Sequence, residues 1–391
     1  MRLSFSRIVL PVCLAIVCSC NKTDRNVRDF KYEIVVNETL DSPSWSDLFE
    51  SVSYIPLKTD VPMGQVDQIV VYDSLMYVLA DGLYCFDMDG NCKFRNNNKG
   101  RARNEFLKAS SLSVYDGKAY VFDRYKYKMM VFDAKTGAFI DDMSVPGYKI
   151  YSWFNGNSYI CSDADPQDAD YTLFKCYSKD DINTQTAAFF PRKEDVGMMF
   201  GTTSWSGDGL ICLSYVRNLA WKIMGADTVP YIKVTVPENK RIPDNIASSM
   251  IADGSRSVED YTGAEVIYGL YYLTECDGFI TATIFNHEKN NTSYIFLVYD
   301  KNTGKSCSYL TLRDKEPWQQ FPIAGRDNPA TGCGNSIYVA YMSESLSLIK
   351  GVIGTGNEPA DPRFLEPYEV FKGITNDGNP IVARYEFKPI E

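Results

Sequence analysis

An all-β ring of repeated four-stranded sheets is the fold this sequence predicts, and three observations predict it. First, a tyrosine–aspartate phrase occurs twice, as Val71-Tyr72-Asp73-Ser74-Leu75-Met76-Tyr77-Val78 and as Val114-Tyr115-Asp116-Gly117-Lys118-Ala119-Tyr120-Val121. Second, each copy leads to an aspartate-to-glycine turn, Phe86-Asp87-Met88-Asp89-Gly90 and Phe132-Asp133-Ala134-Lys135-Thr136-Gly137. Each copy reads as strand, tight turn, strand, loop, strand, tight turn, strand, and a repeat of about 40–50 residues is the period of a propeller blade. Third, aromatics make up 14% of the 391 residues, with 27 Tyr and 21 Phe. Such side chains suit pleated, half-buried strands, while long apolar stripes at helical spacing are scarce.

The units follow in order. Residues 52–58 form an alternating strand, and the two clear repeats fill 64–99 and 106–146. A third unit spans 150–190 and a fourth 198–236, the latter turning at Gly207-Asp208-Gly209. A fifth covers 264–313, where Asp300-Lys301-Asn302-Thr303-Gly304 repeats the aspartate turn. A sixth starts near Gly334. The last strand, 380–387, has no unit of its own, and neither has the strand at 52–58. Pairing them in one blade removes two exposed edges and closes the ring. The prediction is therefore a six-bladed β-propeller of four-stranded antiparallel blades over 46–391, closed by its N- and C-terminal strands. Residues 241–261 and 345–373 interrupt the pattern with helix-compatible or loop composition and read as insertions on one face.

The N-terminus gives an address. Arg2 and Arg7 precede an apolar run over residues 8–17. That run is too short to span a bilayer and reads as a secretory signal. It ends Val17-Cys18-Ser19-Cys20, which resembles the bacterial lipobox. The resemblance implies removal of residues 1–19 and lipid on Cys20, with each buried methylene adding about 0.8 kcal/mol of membrane affinity. Residues 20–45 then read as a lipidated N-terminus and flexible tether. The formal net charge of −10 repels phosphate backbones and excludes nucleic acid as a partner. Eight cysteines lie beyond Cys20, none in a C-x-x-C pair; they read as small buried hydrophobes. Cys85 and Cys92 flank a predicted hairpin turn and are candidates for a bridge across it.

The chain resembles the six-bladed β-propeller lipoproteins of Bacteroides and related gut bacteria, relatives of NHL-type propellers. The matching pieces are Tyr54-Ile55-Pro56-Leu57-Lys58, the Phe86–Gly90 turn, Gly100-Arg101-Ala102-Arg103-Asn104-Glu105-Phe106, and Asp377-Gly378-Asn379-Pro380 with the strand after it. The family phrase Gly-Arg-Gly-Pro-Gly-Glu-Tyr is matched at Gly100, Arg101 and Glu105 and closely at Phe106; Ala102, Arg103 and Asn104 depart from it. The resemblance implies an outer-membrane lipoprotein, periplasmic or surface-facing, and brings no activity with it.

Several residues are candidates for chemistry. Arg101, Arg103 and Glu105 sit in the connector between two blades, where guanidiniums can donate to carboxylate or sugar oxygens. The alternative is a structural connector in which Glu105 caps backbone N–H groups and pairs with Arg101. Asp163, Asp165, Asp168 and Asp170 form an acidic cluster that could hold Ca²⁺ or simply be a solvated loop. Asp87-Met88-Asp89-Gly90-Asn91 opens like a calcium loop but lacks the distal glutamate, so it reads as a hairpin turn. His287 is the only histidine, which excludes a multi-histidine zinc site. Trp205, Trp221 and Trp318 are candidates for stacking on sugar rings or for packing between blades. No motif points to a cofactor. The leading expectation is a lipid-anchored, non-catalytic propeller binding a glycan, a peptide or an outer-membrane transport component. The alternatives are a carbohydrate-active hydrolase or lyase with carboxylates at the channel mouth, and a structural scaffold.

Overall fold

A computed structural model describes residues 29–147, 149–163, 172–191, 204–206, 209–214, 216–253, 265–288, 291–320 and 328–390. The chain enters through β1 (Tyr32–Val35), α1 (Trp45–Leu48) and β2 (Phe49–Pro56). Blade 1 is β3 (Gln68–Tyr72), β4 (Leu75–Leu79), β5 (Leu83–Asp87) and β6 (Cys92–Asn96). Blade 2 is β7 (Ala109–Tyr115), β8 (Lys118–Asp123), β9 (Lys128–Asp133) and β10 (Phe139–Ser144). Blade 3 is β11 (Lys149–Phe154), β12 (Ser158–Asp163), β13 (Thr172–Ser178) and β14 (Gln185–Pro191). Blade 4 is β15 (Ser204–Ser206), β16 (Gly209–Ser214), β17 (Leu219–Met224) and β18 (Asp227–Thr235), and α2 (Asp244–Asp253) follows. Blade 5 is β19 (Val266–Glu275), β20 (Phe279–Glu288), β21 (Asn291–Asp300) and β22 (Ser306–Tyr309). The last elements are β23 (Ala330–Cys333), β24 (Ser336–Tyr341), α3 (Ser343–Ile353), α4 (Leu365–Gly373) and β25 (Ile381–Phe387).

Blades 1 to 5 each use four consecutive strands, and the sixth has the order β2-β25-β24-β23. The first strand of each blade lies innermost, where β3, β7, β11, β15, β19 and β23 meet around the axis. The predicted closure is present: β2 pairs antiparallel with β25 from Phe49↔Phe387 to Pro56↔Ile381. The molecule is thus a six-bladed β-propeller whose last blade is shared by the two ends of the chain.

The repeated phrases are turns. Asp73 and Ser74 have φ of 50° and 57°, and Asp116 and Gly117 of 47° and 68°, the double positive φ of the two-residue hairpin turn that matches strand twist. The aspartates of the second phrase cap the next turn. Asp133 Oδ1 accepts from the N–H of Lys135 and Thr136 at 3.0 and 2.8 Å, and Asp300 Oδ1 from Asn302 and Thr303 at 2.8 and 3.2 Å. Asp87 Oδ1 accepts from Asp89 and Asn91 in the same way, which makes this segment a hairpin turn and not a calcium loop.

The core is divided into slabs between facing blades. Tyr77, Leu79, Leu83 and Cys85 of blade 1 pack on Leu112, Val121, Met130 and Phe132 of blade 2. Blades 5 and 6 enclose the largest aromatic slab, where Trp45 lies 5.0 Å from Phe49 and 5.6 Å from Trp318. Around the axis, polar side chains tie one inner strand to the next. Gln68 Nε2 donates to Leu112 O at 2.7 Å, and Gln68 Oε1 accepts from Leu112 N–H at 2.8 Å. Ser111 Oγ donates to Ser152 O at 2.6 Å, and Ser113 Oγ accepts from Phe154 N–H at 3.0 Å. Blade 6 approaches blade 5 so closely that a Cβ on Gly332 would lie 1.8 Å from Glu275 O, so only glycine fits there.

Two expectations are corrected. The tether expected to run to residue 45 ends earlier, because β1 adds a fifth strand to blade 4, parallel to β18. Tyr32 packs edge-on against Tyr231 and Tyr299 at 5.4 and 5.8 Å, and Asp41 bridges to Tyr309. An edge strand with an apolar flank recruits the passing chain, which covers its open hydrogen-bonding groups. Cys85 and Cys92 are both free thiols. Cys92 pairs across the ladder with Phe86, and Cys85 with Phe94. Cys85 therefore faces the slab between blades 1 and 2, while Cys92 packs toward blade 6. Neighbouring positions on a strand point to opposite faces, so a bridge cannot form. Burial raises both thiols, Cys85 to about 12.

The turn aspartates give two predictions. Asp300 is fully buried and its Oδ2 also accepts from Ile390 N–H at 3.1 Å. Asp300→Ala leaves three N–H groups without this acceptor and is expected to destabilise the fold by about 2–3 kcal/mol, read by urea denaturation. Burial raises the Asp87 carboxyl, but hydrogen bonds from Lys93 and Asn91 outweigh it and hold the group at about 2. The N–H and hydroxyl of Thr136 likewise lower Asp133. The unfolded chain therefore takes up these protons first. Their contribution is complete above the ordinary carboxylate pKa near ~4 and is lost as pH falls toward about 2. An acid titration followed by circular dichroism is expected to show flat stability above that range and a decline below it, smaller in Asp87→Asn.

Candidate functional site

In antiparallel blades the connections from second to third strand, and from outer strand to the next inner strand, leave on the same face. That face carries the 97–108 connector, the 124–127 turn, the departures of both insertions and the β20–β21 hairpin. The second insertion then folds along the outer strand of blade 6, where α4 packs against β2.

The 97–108 connector is held from within. Asp123, fully buried, accepts four backbone N–H groups: Leu107 at 2.6 Å, Lys108 at 3.2 Å, and Tyr125 and Lys126 at 3.0 Å each. Glu105 Oε2 accepts from Ala102 N–H at 2.9 Å, and a Cβ on Gly100 would strike that same oxygen. Lys126 Nζ donates to the Ala102 and Glu105 carbonyls. Arg103 reaches outward, donating to Asp141 at 2.7 Å and Asp142 at 2.9 Å on the outer strand β10, above the Phe139 ring. Glu105 thus caps the backbone as the connector reading expects, and its partner is the Ala102 N–H. The acids draw Arg103 to the outer rim, and Arg101 is exposed on the same loop.

Of the acidic cluster, Asp165, Asp168 and Asp170 lie outside the described residues, and Asp163 is described only as the end of β12. Among the described residues no group of His, Cys, Asp and Glu is placed to hold a metal ion. Trp318 is 2% exposed inside the blade 5–6 slab, and Trp221 packs 5.8 Å from Phe190. The Trp205 side chain lies outside the description.

Blade 5 carries a feature the motifs did not reveal. Its first three strands have 10 residues each, against 5 in blade 1. Taking the turn aspartates Asp87 and Asp300 as equivalent, the first residue of β5, Leu83, matches Phe296. Residues 291–295 of β21 and their partners on β20 therefore stand above that level, by about 17 Å at 3.4 Å per residue. One side of this raised hairpin is sealed: Ile284 and Ile295 are fully buried with Ile267. The other side carries Tyr268, Tyr271, Phe285, His287 and Tyr294. Phe285 lies 5.0 Å from Tyr294 and 5.7 Å from Tyr271, and His287 stacks 4.6 Å from Tyr268. His287 Nδ1 is 3.0 Å from Thr292 Oγ1.

The inner strand β19 is bent to build this wall. Its register slips twice against β20, between Tyr268 and Tyr271 and between Tyr271 and Thr274. Three residues of β19 span two of β20 each time, the signature of a β-bulge. Gly269 and Tyr272 take up the slack with φ of 85° and 48°. Sequence neighbours on a flat strand point apart, yet the rings of Tyr271 and Tyr272 lie 3.9 Å from one another. A tyrosine at positive φ costs about 1–3 kcal/mol, and such strain gathers at functional sites.

The comparisons agree with this architecture. The chain belongs to the family DUF5128, the 6-bladed beta-propeller, whose model matches residues 22–320. A Bacteroides fragilis protein described as exported has a similar structure, with a TM-score of 0.70 at 14% identity over 91% of this chain and 100% of that one. A DUF4221 family member from Bacteroides vulgatus gives a TM-score of 0.47 at 9% identity over 87% and 97%. None of the curated proteins matches the chain.

Asp123 and Arg101 separate architecture from surface. Asp123→Ala is expected to cost on the order of 3 kcal/mol, because it orphans buried N–H groups. Arg101→Ala is expected to leave the melting temperature unchanged. Paired thermal melts of the two variants check both outcomes.

Proposed function

We propose that this propeller is exported, held at the outer membrane by lipid on Cys20, and binds a ligand without transforming it. The binding face is the one from which the blade 5 hairpin rises. The observation that carries the reading is the aromatic wall. Phe285 and Tyr294 stand above the rim, Tyr294 is 49% exposed, and the strand behind them is strained to hold two tyrosines together. The Val17-Cys18-Ser19-Cys20 sequence and the exported Bacteroides fragilis neighbour support the address. The polar groups of the 97–108 connector are committed to the ring itself, which favours the blade 5 wall over Arg103 and Glu105 as the contact surface.

Two measurements test this. Cys20→Ala is expected to move the protein from the membrane fraction to the soluble fraction; retention in the membrane would remove the anchor from the proposal. A thermal-shift screen against saccharides, peptides and lipid headgroups is expected to find ligands whose stabilisation disappears in Tyr294→Ala and persists in Arg101→Ala. A screen without any shift, or one lost only in Arg101→Ala, would contradict the assigned face.

A further inference from the structure

Resting on that reading of the blade 5 face, we propose that its ligand is an extended peptide, which adds a strand to the upper edge of β21. An unpaired edge strand recruits foreign strands, and proteins blunt such edges with bulges, charges or a covering segment. Blades 1, 2 and 3 use bulges. Their outer strands β6, β10 and β14 each hold one extra residue against the neighbouring strand, at Lys93, Ile140 and Thr186. Charges add to this, with Lys93 and Arg95 on β6 and Asp141 and Asp142 on β10. Blade 4 is covered by β1, and blade 6 by α4 against β2. In blade 5 the N-terminal segment covers β22: Asn37 N–H donates to Ser308 Oγ at 3.0 Å, and Asp41 N–H to Ser308 O at 2.8 Å.

The exception is the stretch 291–295 of β21. The outer strand β22 reaches only from Tyr299↔Ser306 to Phe296↔Tyr309. The chain then turns away, because Arg313 N–H donates to Pro43 O at 2.9 Å and Asp314 accepts from Trp45 N–H at 3.0 Å. Above that point β21 stays paired with β20 on its other side, without a slip in register. Among the described residues no strand pairs with 291–295 from outside. The stretch reads Asn291-Thr292-Ser293-Tyr294-Ile295, with no charge and no proline. Asn291, Thr292 and Tyr294 are exposed. Alternate residues of an antiparallel strand direct N–H and C=O away from the existing partner, so a row of open donors and acceptors about 17 Å long stands above β22.

A peptide in extended form meets that row with its own backbone, as β22 meets the lower half of the same strand. Its side chains then alternate. One set lies beside Thr292 and Tyr294, the other on the side where Ile284 and Ile295 are buried. Cross-strand pairs with tyrosine favour aromatic and β-branched residues. The recognised class is therefore an extended segment with such a residue beside Tyr294. The four residues of β1 are a precedent within the chain, since they suffice to add a strand to β18. A second copy of the protein fits less well, because a ladder this short falls far below the ~1,600 Å² that a stable protein pair buries.

Peptide display tests the class directly. The purified chain from Cys20 onward, with Cys20→Ser, is panned against a phage library of random heptapeptides, and enriched sequences are synthesised. Enrichment of peptides with aromatic or β-branched residues at every second position is expected. Their binding should slow amide hydrogen exchange across 291–295 about tenfold or more. It should weaken about two- to fivefold in Tyr294→Ala and be unchanged in Arg101→Ala. N-methylation of the peptide reads the backbone ladder without altering the protein: at one alternate set of positions it abolishes binding, and at the other it leaves binding intact. The absence of any enriched peptide overturns the strand addition. If a saccharide or headgroup shift is then lost in Tyr294→Ala, the face stands and only the ligand class fails. Binding that leaves exchange at 291–295 unchanged, or that tolerates N-methylation at both sets of positions, overturns the strand addition too. So does slow exchange of these amides in the free protein, which would show the edge to be already paired.

Discussion

The pairing of β2 with β25 is the contact on which the ring depends. A propeller blade is stable only between two neighbours, because its apolar faces are covered by the blades on either side. Without the ladder from Phe49↔Phe387 to Pro56↔Ile381, the sixth sheet would end at β25. Blade 6 would then present an open edge. The closure also gathers the aromatic slab of Trp45, Phe49, Trp318 and Tyr385. Tyr54 and Tyr385 donate there to the Trp318 and Gln320 carbonyls at 2.7 and 3.0 Å, so the buried phenols tie the 310–320 segment to the closing blade. The N-terminal β1 extends the same logic to blade 4. Behind it lies a buried ion pair, Lys301 to Glu275 at 2.9 Å, with Tyr231 also donating to Glu275 at 2.6 Å.

Most polar residues that look functional are consumed by geometry. The turn aspartates accept backbone N–H groups, Asp123 ties a connector to a turn, and Gln68, Ser111 and Ser113 link the inner strands. A rigid ring needs each of these, because buried N–H and C=O groups away from ladders must find partners. Function is then left to surfaces that exceed what the ring requires. We propose that the raised part of blade 5 is such a surface, since its first three strands have 10 residues each against 5 in blade 1.

The fold was largely legible in the chain. The Tyr-Asp phrases are two-residue turns with positive φ, and the Asp-to-Gly phrases are capped turns, so each marks a fixed corner of a blade. The unpaired strands near 52–58 and 380–387 identified the closure by elimination. The tether was misjudged because Tyr32–Val35 is a short strand whose pairing partner lies some two hundred residues away. The Cys85–Cys92 bridge was misjudged because spacing across a hairpin does not reveal which face each thiol occupies; one bulge decides it.

The blade 5 wall was not legible. Tyr268, Tyr271, Tyr272, Phe285 and Tyr294 are visible as aromatics among many, and an alternating pattern assigns adjacent tyrosines to opposite faces. By itself the sequence determined the local elements: strand periodicity, turn chemistry and blade count. These depend on residues near one another in the chain. The tertiary structure alone decided which side of a sheet each residue faces, how far a blade rises above its neighbours, and where a strand slips register. Those outcomes depend on packing between distant segments, where a single extra residue in a strand redirects its side chains.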